Sequence, residues 1–128
     1  MRSRRVLVVD ANADGRQALC SLLQSLGHEV VATGEYDEAL QLAVAHQPEL
    51  VICDTALGAG TTGYDLARRL RGRGIYLLAY SGGYQPEQRQ LAEDAGFHHY
   101  LPKPAMLRDF CSFFEAWDAA DEQADRDD

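Results

Sequence analysis

Four polar residues of this chain each stand where a short apolar run ends. Asp10 follows Val6–Val9, Asp54 follows Leu50–Cys53, Ser81 follows Ile75–Tyr80, and Lys103 follows His98–Leu101 by two positions. The chemistry that uses this set is phosphoryl transfer to a carboxylate. Asp54 would attack phosphorus through an oxygen and form an acyl phosphate. Charge on the transferring oxygens needs a cation on each side, normally Mg²⁺ and a lysine. Asp10 would help hold Mg²⁺, directly or through water, and Lys103 would pair with the phosphate. The Ser81 hydroxyl would donate to a phosphate oxygen and turn covalent modification into a loop movement. Lys103 is the only lysine beside eleven arginines, a compact point charge set between Pro102 and Pro104. Taken singly these residues are ordinary, since Asp and Ser after strands are commonly turn or cap residues. Their recurrence after four of five strands carries the functional reading.

The elements that must position them follow from periodicity. Arg5–Asp10 and Glu49–Asp54 are short, continuously apolar runs ending in an acid, as strands buried on both faces are. His28–Thr33, Ile75–Tyr80 and His98–Leu101 supply three more strands. Between them lie helical spacings. Leu19, Leu22, Leu23 and Leu26 follow a cap at Asn12 or Asp14, and Gly27 stops that helix. Leu40, Ala43 and Val44 lie on a helix that opens near Tyr36 and closes before Pro48. A third helix carries Leu66, Ala67 and Leu70. A fourth opens at Pro86 and carries Leu91, Ala92 and Ala95 up to Gly96. The last bears Leu107, Phe110, Phe114 and Trp117 on one stripe, with Phe113 off it as an exposed contact or a core residue. Strands alternating with helices of this length imply right-handed crossovers and a parallel sheet covered on both faces. In such a sheet ligands bind outside the carboxyl ends of the strands, where Asp10, Asp54, Ser81 and Lys103 converge.

Composition sets bounds on function. The 128 residues are one domain's worth, and 46% hydrophobic with 25% charged residues is the balance of a soluble globular protein. No apolar run is long enough to span a bilayer, and the N-terminus lacks the pattern of a signal peptide, so the expected compartment is the cytoplasm, without membrane contact. Residues 115–128 hold seven acids against Arg126, which places six of the eight net negative charges there. The expected organisation is a domain over residues 1–117 and a solvated, frayed acidic tail over 118–128. This balance argues against nucleic-acid binding. The basic cluster Arg68, Arg69, Arg71 and Arg73 is read as a solvated face. Cys20, Cys53 and Cys111 have no metal or redox spacing and read as reduced, packed thiols. His98 and His99 read as strand residues.

With VLVVDAN, LVICD, AYSG and YLPKP in this order, the chain resembles the receiver domains of two-component signalling over roughly residues 5–117. The resemblance implies a flavodoxin-like, doubly wound three-layer α/β sandwich, with a five-stranded parallel sheet of order 2-1-3-4-5 and five helices. It implies phosphoryl acceptance on Asp54, a switch pair of Ser81 and Tyr100, a cis Lys103–Pro104 bond, and Mg²⁺ held by Asp10, Asp54 and the Ala56 carbonyl. It implies a sensor histidine kinase or phosphotransfer protein as phosphoryl donor, and output through a homodimer or downstream protein on the face of the fourth helix, fifth strand and fifth helix. Two departures stand out. Ala11 occupies the position where family members usually carry a second acid, which weakens the expected Mg²⁺ shell. The loop after Asp54, DTALGAGTTGYDL, has Gly58 where proline is usual, runs one residue longer, and is expected to be mobile.

Two other classes compete. A pseudo-receiver, binding partners without phosphate, is favoured by Ala11 and the altered loop and opposed by Asp10, Asp54, Ser81, Tyr100 and Lys103. An independent enzyme is disfavoured. DANADG is not a hydroxyl-rich phosphate loop, and an aspartate-nucleophile phosphatase would place its paired acids two residues apart after the first strand, where position 12 is Asn.

Overall fold

A computed structural model describes residues 1–58, 60–82 and 85–127; Ala59 and Gly83 of the expected loops and Asp128 of the expected tail lie outside the described residues. In chain order the elements are β1 (Arg5–Val9), α1 (Ala13–Ser25), β2 (Glu29–Thr33), α2 (Tyr36–Ala45), β3 (Leu50–Cys53), β4 (Ala56–Gly58), β5 (Thr61–Thr62), α3 (Gly63–Leu70), β6 (Tyr76–Ser81), α4 (Pro86–Ala95), β7 (His99–Pro102) and α5 (Leu107–Asp127). Five parallel strands form one sheet in the order β2-β1-β3-β6-β7. Numbered without the small hairpin β4–β5, that is the expected 2-1-3-4-5 order.

Two apolar layers sandwich the sheet. On one face Leu7, Val9, Val51, Cys53, Leu77 and Ala79 pack against α2, α3 and α4. On the other Val6, Val8, Leu50, Ile52 and Leu78 pack against Leu19 and Leu23 of α1 and Phe110, Phe113 and Phe114 of α5. Alternation along each strand sends successive side chains to opposite layers, so β3, and β1 from Val6 onward, are covered on both faces, as their apolar sequence requires.

The helix caps follow residue chemistry. Asn12 Oδ1 accepts from Gly15 N at 2.8 Å and starts α1; Asp14 lies in the first turn. Thr62 and Asp65 form a reciprocal capping box at the start of α3. Gly96, at φ 114°, closes α4 in the left-handed region.

Several expectations are corrected. Val44, Leu91 and Leu107 are exposed. On α2 and α4 the buried residues are the alanines Ala39, Ala43, Ala92 and Ala95, which let the helices approach the sheet closely and turn their larger neighbours outward. Phe113 is buried at 6% exposure, because α5 meets the sheet along the 110, 113, 114, 117 spacing. Described residues of the loop after Asp54 pair as an antiparallel hairpin, β4 with β5, which the five expected strands do not include. The expected frayed tail is helical as far as Asp127. Buried Arg4 explains this, donating to Asp118 Oδ1 at 2.7 Å and Asp121 Oδ2 at 2.8 Å while its guanidinium lies 3.8 Å from the Trp117 ring centre.

The thiols are free; Cys53 is buried, and Cys20 and Cys111 are half-buried. Arg68, Arg69, Arg71 and Arg73 are exposed. Among the described residues no helix is long and apolar enough to cross a membrane.

Candidate functional site

Three of the charged residues singled out above meet at the carboxyl ends of β1, β3 and β7. Main-chain bonds carry the sheet one residue past β1 and β3, with Asp10 N donating to Thr33 O at 3.0 Å and Asp54 N to Val9 O at 2.9 Å. The two carboxylates therefore lie side by side. Lys103, whose own N–H bonds Ser81 O at 2.8 Å, reaches back over them. Its Nζ donates to Asp10 Oδ2 at 2.7 Å and to Asp54 Oδ2 at 2.9 Å. The Lys103–Pro104 peptide is cis.

The second oxygen of each carboxylate is held by main chain. Asp10 Oδ1 accepts from Asn12 N at 2.9 Å and Asp54 Oδ1 from Ala56 N at 3.1 Å. Burial alone would lower the Lys103 pKa, but its hydrogen bonds to Asp10 and Asp54 and their charges outweigh it and hold the ammonium above its ordinary value. Asp10 is buried while Asp54 retains 18% side-chain exposure, so Asp54 is the more approachable acid. Next to it the Cys53 thiol is fully enclosed, and burial followed by the charges of Asp54 and Asp10 drives its pKa far up, which keeps it a neutral packing group.

Ser81 and Tyr100 have partners outside the charged trio. The Ser81 hydroxyl is hydrogen-bonded to the Thr55 hydroxyl at 2.9 Å. Tyr100 is half-buried on β7, packs against the layer of α2, α3 and α4, and has the Arg89 guanidinium 5.6 Å from its ring centre. Register pairs Ala79 with Tyr100 and Ser81 with Pro102, so Ser81 and Tyr100 share one sheet face. Ala56 is exposed at the start of the hairpin.

Two neighbours escape a reading of the sequence. Thr55 is signalled only as a polar residue after an acid. Tyr80 looks like a strand aromatic, yet its hydroxyl accepts from Ala105 N at 3.2 Å and its ring centre lies 5.2 Å from Lys103 Nζ. Tyr80 thus supports both the loop that carries Lys103 and the ammonium itself. A cleft of about 510 Å³ opens beside the trio, with Asp10, Asp54 and Lys103 at its polar end and Ala18, Leu22 and Phe110 at its apolar end.

The donor set fits a modest Mg²⁺ site. That ion usually takes one or two carboxylates and keeps several waters. Asp10 and Asp54 supply two hard oxygen donors already close enough to share one ammonium. Ala11 is exposed and brings no oxygen, and Asn12 Oδ1 is committed to capping α1. Among the described residues no cluster of three or more His, Cys, Asp or Glu side chains forms a metal cage.

Comparison with known proteins bears on the fold. The model of the response regulator receiver domain family matches residues 6–115. The transcriptional regulatory protein PdtaR of Mycobacterium tuberculosis is 34% identical over 117 residues, covering 88% of this chain and 55% of that protein. The response regulator MprA of the same species is 29% identical, covering 89% and 50%. The chain thus spans about half the length of these relatives. A 14.6 kDa protein of Leptolyngbya boryana is 33% identical over 85% of this chain and 91% of its own length. The chemotaxis protein CheY4 of Vibrio cholerae shares the fold at a TM-score of 0.82 and 24% identity, with 90% of this chain and 98% of that one covered. With the family model matching residues 6–115 and a relative 34% identical over 117 residues, this chain belongs to the response regulator receiver domains of two-component signalling.

Proposed function

We propose that this receiver domain is a phosphoryl-accepting switch with Asp54 as the acceptor. The observation that carries the reading is the Lys103 ammonium bridging Asp10 and Asp54 at 2.7 and 2.9 Å. Asp54 is the outer carboxylate of the pair and faces the cleft. One of its oxygens attacks the phosphorus of a phosphohistidine on a sensor kinase or phosphotransfer protein. The P–O bond forms, the P–N bond breaks, and the imidazole leaves with the electron pair.

Mg²⁺, when bound, neutralises charge on the transferring oxygens; Asp10, Asp54 and the Ala56 carbonyl are the residues that would hold it, more weakly than a site with a third acid at position 11. Lys103 gives up its bond to Asp54 as the acceptor oxygen enters the acyl phosphate linkage and pairs with a phosphoryl oxygen instead. Asp10 keeps it oriented. Ser81 then turns its hydroxyl toward the phosphoryl group, and Tyr100, on the same sheet face, follows.

Receiver domains are generally signalling modules rather than independent enzymes, and output here is assigned to protein contacts on the face of α4, β7 and α5. Two features support that assignment. β7 is an edge strand of the sheet, and clefts flank it on both sides, one against α4 and one against α5.

The test is incubation with acetyl phosphate and Mg²⁺, read by intact mass, with Asp54→Asn as control. A phosphoryl adduct in the wild type and none in the control is the expected result. Folded wild-type protein that gains no adduct at saturating Mg²⁺ overturns the reading.

A further inference from the structure

We propose that Thr55 is a positioning residue for Ser81, holding the switch hydroxyl away from the acceptor until a phosphoryl group competes for it; this rests on the phosphoryl-acceptor reading above. Thr55 and Ser81 are each only 9% exposed, and their hydroxyls lie 2.9 Å apart. Within this pair one hydroxyl donates and the other accepts, and little water reaches either.

The two partners differ in freedom. Thr55 is β-branched and stiff about its first side-chain torsion. Its carbonyl accepts from Gly63 N at 3.0 Å. Gly63 presses so close that an added Cβ would collide with the Asp54 carbonyl oxygen and come within 2.8 Å of Thr55 Cα. The segment from Asp54 to Thr55 is therefore clamped under the start of α3. Ser81 has an unbranched side chain at the end of β6 and turns at little cost. It is the half of the pair that moves.

When Ser81 turns toward a phosphoryl group on Asp54, as the switch reading requires, its hydroxyl leaves Thr55, and the Thr55 hydroxyl is then stranded in a nearly dry site. An unpaired buried polar group is unfavourable, and a bond to an anionic oxygen is stronger than one between neutral hydroxyls. The phosphoryl group therefore wins the competition, by a margin that Thr55 reduces. Thr55→Val removes the holding bond from the resting arrangement and the stranded hydroxyl from the switched one. Both changes favour switching.

The experiment is titration of the full chain with beryllofluoride in saturating Mg²⁺, following backbone amide shifts of Ser81 and its neighbours by NMR. Thr55→Val should bind the analogue tighter by about 2- to 10-fold, the span that one neutral hydrogen bond is worth. Thr55→Ser, which keeps the hydroxyl, should restore wild-type affinity. In a Ser81→Ala background Thr55→Val should have no effect, a result that loss of packing at position 55 would not produce. Unchanged or weaker binding by Thr55→Val, or an equal gain in the Ser81→Ala background, overturns the role of Thr55 while leaving Asp54 as acceptor. Wild-type protein that fails to bind the analogue at all overturns the acceptor reading and this proposal with it.

Discussion

Position 11 shows how much one side chain can decide. Asp10 and Asp54 are brought together by two strands that pair residue for residue, so the carboxylate pair depends on the sheet rather than on any loop. A third acid would have to come from Ala11, which is exposed beside them. Ala11→Asp is expected to tighten Mg²⁺ binding by roughly tenfold or more, since even outer partners of metal ligands are worth about 10- to 100-fold. Isothermal titration of both proteins reads this directly, and equal affinities would place position 11 outside the metal shell. Asp10, Asp54 and Lys103 were legible in the sequence because parallel strands bring their carboxyl ends to one edge. Thr55 and Tyr80 were not. The Thr55–Ser81 bond joins residues 26 apart, and whether two hydroxyls meet depends on loop path and register. Tyr80 faces the α5 layer and bonds Ala105, 25 residues further along the chain, a partnership that no spacing announces.

Among the elements, the five strands of the main sheet and the helices α2 and α4 were readable to within a residue or two, whereas helix faces were less so. A hydrophobic stripe read by residue size puts Val44 and Leu91 inward, but α2 and α4 dock on alanines and leave both exposed. The glycine-rich loop after Asp54 gave no alternation from which to read the β4–β5 hairpin. Helix α5 departs furthest from expectation, because its last turns carry almost nothing but acids and alanines. What holds them is the buried Arg4 guanidinium, with the more exposed Arg2 adding bonds to the same two acids. Arg4→Met should destabilise the fold by about 1–3 kcal/mol, below the full cost of an orphaned buried charge because Asp118, Asp121 and Glu49 keep some access to water. Arg2→Met, at a mostly exposed pair, should change stability by less than about 1 kcal/mol. Urea unfolding of the two variants distinguishes them, and equal losses would remove Arg4 from its anchoring role.

Over the whole molecule the charge is lopsided, and so is its response to pH. Burial lowers the pKa of His28, whose Nδ1 accepts from Arg4 N at 3.0 Å and whose ring stacks on Phe114. Among the charged groups around it, Asp118 and Glu49 oppose that shift, and Arg4 and the N-terminal amine add to it. A folded pKa below the unfolded value means that the unfolded chain binds the proton first. The contribution of His28 is therefore complete above about pH 6.5 and is lost as pH falls through the lower folded value. His99, lowered by burial and by Arg89, acts in the same direction. Asp118 follows in stronger acid, where burial opposes but bonds from Arg2 N and Arg4 keep its pKa below 3.8. Lys103 is the reverse case, its contribution present below about pH 10.5 and lost above. Stability should therefore decline from neutral pH toward pH 5, and His28→Phe should flatten most of that slope in urea titrations. An unchanged slope in that variant would assign the decline elsewhere.

The two ends of α5 are fastened differently. Its first residue follows the Lys103 loop by a few positions, where Met106 N is capped by Asp109 at 2.7 Å, and its lower part is gripped by Arg4 through Asp118 and Asp121. Between Leu107 and Asp118 lie about 16 Å of helix. A rod pinned at its foot is freer to tilt than to slide. A shift of the Lys103 loop would therefore reach α5 first at its head and fade toward the Arg4 pin, and the head of the rod is where Met106 and Leu107 stand exposed.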